Sequence, residues 1–203
     1  MKSYITKINM EKLRCLFLGY SSKQTKIIKF LKDKKITVDQ NRNKKTNSQI
    51  INKYDLCISY GYRRILNYKT LKQLKRPIVN LHISYLPYNK GIYPNLNAFI
   101  NNTPKGVTIH EIDKGIDTGK IIFQKKINLK ISEKTTFRDT YKILRNEMEK
   151  LFFKHFKSLI LNNYKSFNQK KINLKKYRTY KNKINWNIPI KSFLNKNFKK
   201  NAY

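Results

Sequence analysis

The chain has 203 residues, enough for one domain with a full core. Apolar residues make up 39% of it and aromatics 13%, which excludes a disordered chain despite a formal net charge of +35. No stretch approaches the length of a transmembrane helix, and the apolar run Cys15–Leu18 is too short for a signal-peptide core. Cys15 and Cys57 lie far apart without metal-ligand spacing, so they read as buried thiols in a reducing, cytoplasmic setting. The excess of Lys and Arg first suggests nucleic acid or an anionic membrane. Yet the chain is also crowded with Asn, Ile, Tyr and Phe, which share A/T-rich codons with Lys. Compositional drift is the preferred reading, with no membrane and no specific nucleic acid among the expected partners.

In chain order, Leu13–Gly19 reads as a first buried strand closing at a glycine. Ser21 and Ser22 are placed to cap a helix from about Lys23 to Lys34, with Ile27, Ile28 and Leu31 on one face. Strand, glycine, helix is how a doubly wound α/β fold begins. The single Gly19, without a G-x-G-x-x-G, speaks against a dinucleotide site. Ile36–Val38 makes a short strand, Asp39–Asn47 a polar loop and Ser48–Ile51 a helical turn. Asp55–Ser59 is a strand ending at Tyr60-Gly61-Tyr62, and Ile65, Leu66, Leu71 and Leu74 suggest a helix over the sheet.

Pro77–Asn80 reads as the central strand, followed by a long loop, Ser84–Pro94, and a short helix, Asn95–Ile100. Val107–Ile112 and Ile121–Ile127 form two more strands. Thr136–Asp139 resembles a capping box that opens the longest helix. Its stripe is Phe137, Tyr141, Leu144, Met148, Leu151, Phe152, Phe156 and Leu159, with His155 beside it as a packed or surface side chain. After Glu149 there is no acidic residue, and the tail from Asn168 to Tyr203 is either a weakly ordered basic segment or a subunit contact.

The chemistry concentrates between Val79 and Gln124. Asn80 and His82, two residues apart, share one side of a strand at its C-terminal end, where ligands of open α/β sheets bind. Asp117 follows in a loop flanked by Gly115 and Gly119. Amide donor, titratable imidazole and carboxylate are the parts needed to pass an acyl-type group to an amine. Asn80 would donate to a developing oxyanion. His82 would move the proton or, as imidazolium, support the oxyanion, and Asp117 would favour that imidazolium. His110 and Thr108 are expected to support this group, and no metal cluster is present.

Asn80-Leu81-His82, Leu86-Pro87, Gly106-Val107-Thr108-Ile109-His110 and Asp117-Thr118-Gly119-Lys120-Ile121-Ile122-Phe123-Gln124 together resemble the folate-dependent formyltransferases. The segments His82–Gly91, Pro94-Asn95-Leu96 and Ser59–Arg63 look most like the nucleotide-sugar N-formyltransferases. The resemblance runs from about Leu13 to Ile160. It implies a Rossmann-like fold, an open and mostly parallel sheet flanked by helices, with a catalytic domain over 1–165 and a basic extension over 166–203. It also implies N10-formyltetrahydrofolate as formyl donor and a nucleotide-linked amino-dideoxy sugar as acceptor, with a homodimer and a place in lipopolysaccharide synthesis. Catalysis is expected at Asn80, His82 and Asp117. Donor binding is expected at Tyr60, Gly61, Tyr62, Leu86, Ile112 and Gly115, and acceptor binding at Tyr88, Lys90 and Asn95.

The alternatives are glycinamide ribonucleotide transformylase chemistry and a basic RNA-binding protein on the same scaffold. A methionyl-tRNA formyltransferase would need a further C-terminal domain that about forty residues cannot supply. Tyr88, Lys90, Ile92-Tyr93 and Asn97 depart from the sugar-enzyme pattern, so the acceptor sugar is left open between 3-amino and 4-amino positions.

Overall fold

The computed structural model describes residues 10–173, 177–180 and 182–198. The parts of the expected tail at 174–176, 181 and 199–203 lie outside the described residues. The chain divides into two compact units, 1–79 and 80–203.

In the first unit β1 (Arg14–Gly19) lies between β2 (Thr37–Asn41) and β3 (Leu56–Tyr60), parallel to both. Cys15, Leu16, Phe17 and Leu18 are all buried, the unbroken apolar run expected of a parallel strand covered on both faces. Both cysteines are free and buried, and burial pushes both thiols up. The strand β2 extends past the predicted Ile36–Val38. Asp39, Gln40 and Asn41 are polar, but they pair with Leu16, Phe17 and Leu18 at a sheet edge, where side chains can stay in water. Asp39 there accepts from Arg14 at 3.1 Å and from the Tyr54 hydroxyl at 2.8 Å.

Two helix predictions in this unit need correction. The helix α1 is Ile27–Asp33, beginning later than Lys23, with Ile27, Ile28 and Leu31 buried. Ser21 does not cap it: its N–H and hydroxyl both donate to the Gln24 side-chain oxygen, closing a separate turn. After α2 (Ser48–Ile51), the predicted cover over Ile65–Leu74 shrinks to α3 (Tyr68–Lys72), in which Thr70 alone is buried. The Asn67 side chain accepts from Thr70 N–H at 2.7 Å and so starts the helix there, leaving Ile65 83% exposed.

The strand β4 (Val79–His82) carries Asn80 and His82 into the second unit. The Leu86–Pro87 peptide bond after it is cis. The helix α4 (Pro94–Ile100) has Pro94 in its first turn, as predicted. The strands β5 (Gly106–Glu111) and β6 (Ile121–Lys126) pair antiparallel, with a register shift at Ile109/His110. Such a bulge re-aims the side chain that follows it, here His110.

The longest helix is α5 (Phe137–Ile160), and its capping box is formed as expected: Thr136 accepts from Asp139 N–H, and Asp139 from Thr136 N–H. Its predicted stripe is buried apart from the half-buried Tyr141. At about 1.5–3 kcal/mol per buried side chain, this face anchors the unit. The last helix, α6 (Ile190–Phe198), places Ile190 and Phe193 in one core cluster with Leu96, Phe99 and Phe137. Trp186 O accepts from Arg138 N–H, and Thr135 O from Ile190 N–H. The described tail is thus folded into the second unit.

Candidate active site

Four side chains converge in the second unit: Asn80 and His82 from β4, His110 from β5 and Asp117 from the loop between β5 and β6. Asp117 is the hub. Its Oδ2 accepts from Gly91 N–H at 2.8 Å and lies 3.4 Å from His82 Nδ1. Its Oδ1 accepts from Asn80 Nδ2 at 3.1 Å and lies 3.3 Å from His110 Nε2. Burial alone would raise the Asp117 pKa, but His82, His110 and the Gly91 N–H outweigh it and hold the carboxyl well below the usual range. Asp117 is therefore an anion at neutral pH.

His82 behaves oppositely. Burial lowers its pKa, Asp117 pulls it back up, and the net direction is down. A neutral imidazole has one N–H, yet this ring faces two acceptors, Asp117 Oδ2 and, from Nε2 at 3.2 Å, the Asn89 carbonyl. Taking up a proton would let both nitrogens donate. The ring is neutral at rest and surrounded by groups that favour its protonated form, which suits a general base.

His110 Nδ1 lies 2.7 Å from the Glu111 carbonyl, which requires the proton on that nitrogen. Its Nε2 accepts from Asn80 Nδ2 at 2.9 Å while the ring is neutral, and can donate to Asp117 Oδ1 at 3.3 Å only when the ring is protonated. Both hydrogens of the Asn80 amide are thereby committed, one to His110 and one to Asp117. Asn80 can donate to a reacting oxygen only by exchanging one of these partners.

The two motif residues without obvious chemistry hold the loop after β4. Thr108, fully buried, donates to Ser84 O at 2.7 Å and accepts from Leu86 N–H and Gln124 Nε2. Gln124 also donates to Leu86 O at 2.7 Å. Both backbone groups of Leu86 are therefore occupied within the protein. Asp117 sits at φ 50°, and a Cβ on Gly119 would stand 1.8 Å from Glu111 O, so the turn that presents the carboxylate is tight. Across its loop, Asp113 Oδ1 accepts from Gly115 N–H and from the Thr118 hydroxyl.

The remaining expected residues divide. Lys90 lines a cavity of about 470 Å³ with Thr118, Asn168, Gln169, Lys170 and Lys171. Partial burial lowers the Lys90 pKa, against Asp117 and Asp113. Tyr88 packs edge-on against Tyr177 at 5.8 Å. Asn95 does not join them: it is 1% exposed, and its Nδ2 donates to Phe137 O and Thr140 Oγ1 at the start of α5. There the carboxamide ties α4 to the first turn of α5, and its motif position gave no sign of that. Asn97, the departure from an aromatic, donates to Ile92 O and accepts from Tyr180 N–H. In the first unit, Gly61 takes φ 71°, Tyr60 is buried and the Tyr62 hydroxyl donates to Lys44 O. Sequence reasoning missed Gln169, which lies in a basic tail whose composition conceals it. Among the described residues, no group of three or more His, Cys, Asp or Glu is arranged to hold a metal.

The model of the formyl transferase family matches residues 10–155. The chain is 38% identical to the formyltransferase PseJ from Anoxybacillus kamchatkensis, crystallised with UDP-4,6-dideoxy-4-formamido-L-AltNAc and tetrahydrofolate. That similarity has a TM-score of 0.75 and covers 88% of this chain and 96% of that one. Over 94 residues, 45% of this chain, it is 44% identical to the bifunctional polymyxin resistance protein ArnA of Wigglesworthia glossinidia brevipalpis. Over 79 residues, 39% of this chain, it is 34% identical to the dTDP-4-amino-4,6-dideoxyglucose formyltransferase of Mycobacterium bovis. These matches span only 14% and 33% of those two curated relatives. The α/β fold, the ordered motifs and the matched residues agree: the chain belongs to the formyl transferase family.

Proposed function

We propose that this protein transfers a formyl group from N10-formyltetrahydrofolate to the amine of a nucleotide-linked amino-dideoxy sugar. The observation that carries the reading is the ionised Asp117 joined at once to Asn80, His82 and His110. The donor set fits a formyl carrier: a neutral base, an amide donor and a fixed anion, with lysines beside them for an anionic acceptor. The folate supplies the activated formyl group. For the donor, the proposal names the backbone of Ile112 and Gly115. For the acceptor it names Lys90 and Tyr88.

The amine attacks the formyl carbon as a neutral nucleophile, and the carbonyl oxygen becomes an oxyanion. Asn80 exchanges one of its two partners for that oxygen. His82 takes the proton from the nitrogen, and the resulting imidazolium is held between Asp117 Oδ2 and the Asn89 carbonyl. As the oxyanion collapses, the bond from the formyl carbon to the donor nitrogen breaks, and that nitrogen leaves with the proton returned by His82. His110 keeps the Asn80 amide oriented. We assign the acceptor to the 4-amino-4,6-dideoxy class, because PseJ was crystallised with such a formamido sugar and the mycobacterial relative is named for one. Work in the cytoplasm, a homodimer, and a product destined for lipopolysaccharide belong to the same proposal, the last supported by the likeness to ArnA.

The test is a mass-spectrometric screen with 10-formyltetrahydrofolate and UDP-, dTDP- and GDP-linked amino sugars. A gain of about 28 daltons on a 4-amino sugar nucleotide is expected, because one N–H hydrogen is replaced by a CHO group. Formylation of glycinamide ribonucleotide alone would overturn the proposal.

A further inference from the structure

We propose that Gln169, from the segment that follows the long helix, is a positioning residue for Asp117. Both N–H groups of its side-chain nitrogen are used on one turn: Nε2 lies 2.8 Å from Asp117 O and 2.8 Å from Gly119 O. These are the carbonyls on either side of Thr118. A carboxamide is the neutral side chain that offers two hydrogens from one nitrogen. The opposite orientation would turn its oxygen toward two carbonyls, so the acceptors fix which way the amide points. Its Oε1 is buried without a hydrogen-bond partner among the described residues. A glutamine kept for its two donors leaves its acceptor over in this way.

The segment is held where Gln169 needs it. Two residues earlier, Phe167 pairs with Ile121 through two backbone hydrogen bonds, Ile121 N–H to Phe167 O at 2.8 Å and Phe167 N–H to Ile121 O at 2.9 Å. Ile121 opens β6, directly after the turn. The turn needs a clamp because Asp117 occupies the left-handed region, where a non-glycine residue is held only by its surroundings. The carboxylate fixed there must meet Asn80, Gly91, His82 and His110 together. The tail segment thereby helps to build the site.

The inference rests on the reading of Asp117 as part of the transfer site, but one arm of its test does not need activity. The Gly91 amide donates to Asp117 Oδ2, so its hydrogen exchange reports where the carboxylate stands. In the full-length protein, Gln169→Met keeps the length and removes both donors. Gly91 protection is expected to fall about tenfold relative to wild type, while the Leu151 amide in α5 keeps its protection. Gln169→Glu keeps the shape but sets a carboxylate against two carbonyls, and is expected to lose more protection than Gln169→Met. With substrate, kcat should fall about tenfold with KM for the formyl donor unchanged. Unchanged Gly91 protection, an equal loss at Gly91 and Leu151, or two variants of equal effect would overturn the clamp. A wild-type enzyme that formylates no amine would overturn the reaction instead, and the exchange arm would still decide the role of Gln169.

Discussion

Replacing Asp117 by Asn tests the electrostatic core of the site. The substitution keeps an acceptor for Gly91 N–H and removes the charge that lies 3.4 Å from His82 Nδ1. Both side chains are nearly buried, at 13% and 9% exposure, so solvent screens the pair little. At that distance and an effective dielectric of 20, a full imidazolium gains about 5 kcal/mol from the carboxylate. If the proton is half transferred in the transition state the share is about 2.5 kcal/mol, close to a hundredfold in rate. The expected loss in kcat is therefore about 10²–10³-fold, read by rapid-quench single turnover at saturating folate and sugar. A second consequence fixes the mechanism. Burial lowers the His82 pKa and Asp117 raises it, so losing Asp117 moves the acid limb of the rate profile to lower pH. A loss confined to KM, or an acid limb that moves up, would refute the assignment of Asp117 as the partner of His82.

Wild-type kcat/KM should fall on the acid side at a pH below 6.5, because His82 must be neutral and its folded pKa lies below its ordinary value; a pH-rate series checks this. Stability should fall with acid too, since both groups bind protons less readily folded than unfolded. The His82 share fades as pH drops below 6.5 and the Asp117 share below 3.8, which urea melts at several pH values would follow. Asn80→Ala and His82→Ala should each lower kcat by about 10²–10³, and the double variant by much less than the product, because both act on one transition state. Thr108→Val should destabilise by about 2–3 kcal/mol in urea melts, having stranded Leu86 N–H, Ser84 O and one of the two Gln124 Nε2 hydrogens. His155→Ala should leave kcat within a few-fold and lower stability by about 1 kcal/mol, the stacked contact with Phe123 being what is lost.

The elements that were legible in the sequence are those whose signal is local. The apolar run of β1, the Thr136–Asp139 capping box and the stripe of α5 each carry their instruction within a few residues. The failures have a common cause as well. Ser21 looked like a cap until Gln24 competed for it, Asn67 set a helix start that Ile65 and Leu66 seemed to place earlier, and Asp39–Asn41 became strand because a neighbouring strand pairs with them. In the site, the strand period places Asn80 and His82 together, and the motif order adds Asp117. The motif marked His110 as a support of this group, but nothing there signals that Asn95 turns into the core or that Gln169 reaches the Asp117 turn from 52 residues away.

The polar groups of this site are coupled through hydrogens in short supply. Asn80 has two and both are taken; His82 has one and faces two acceptors; Asp117 receives four neighbours on two oxygens. An incoming carbonyl that draws one hydrogen from Asn80 leaves either Asp117 or His110 short of a partner. Exchange away from Asp117 leaves its charge less compensated, which strengthens its pull on a proton at His82. Oxyanion stabilisation and proton removal from the amine would then reinforce each other through one carboxylate. That coupling accounts for why a turn with a left-handed Asp117 is worth holding from three directions: Gly91, the tight passage at Gly119, and Gln169.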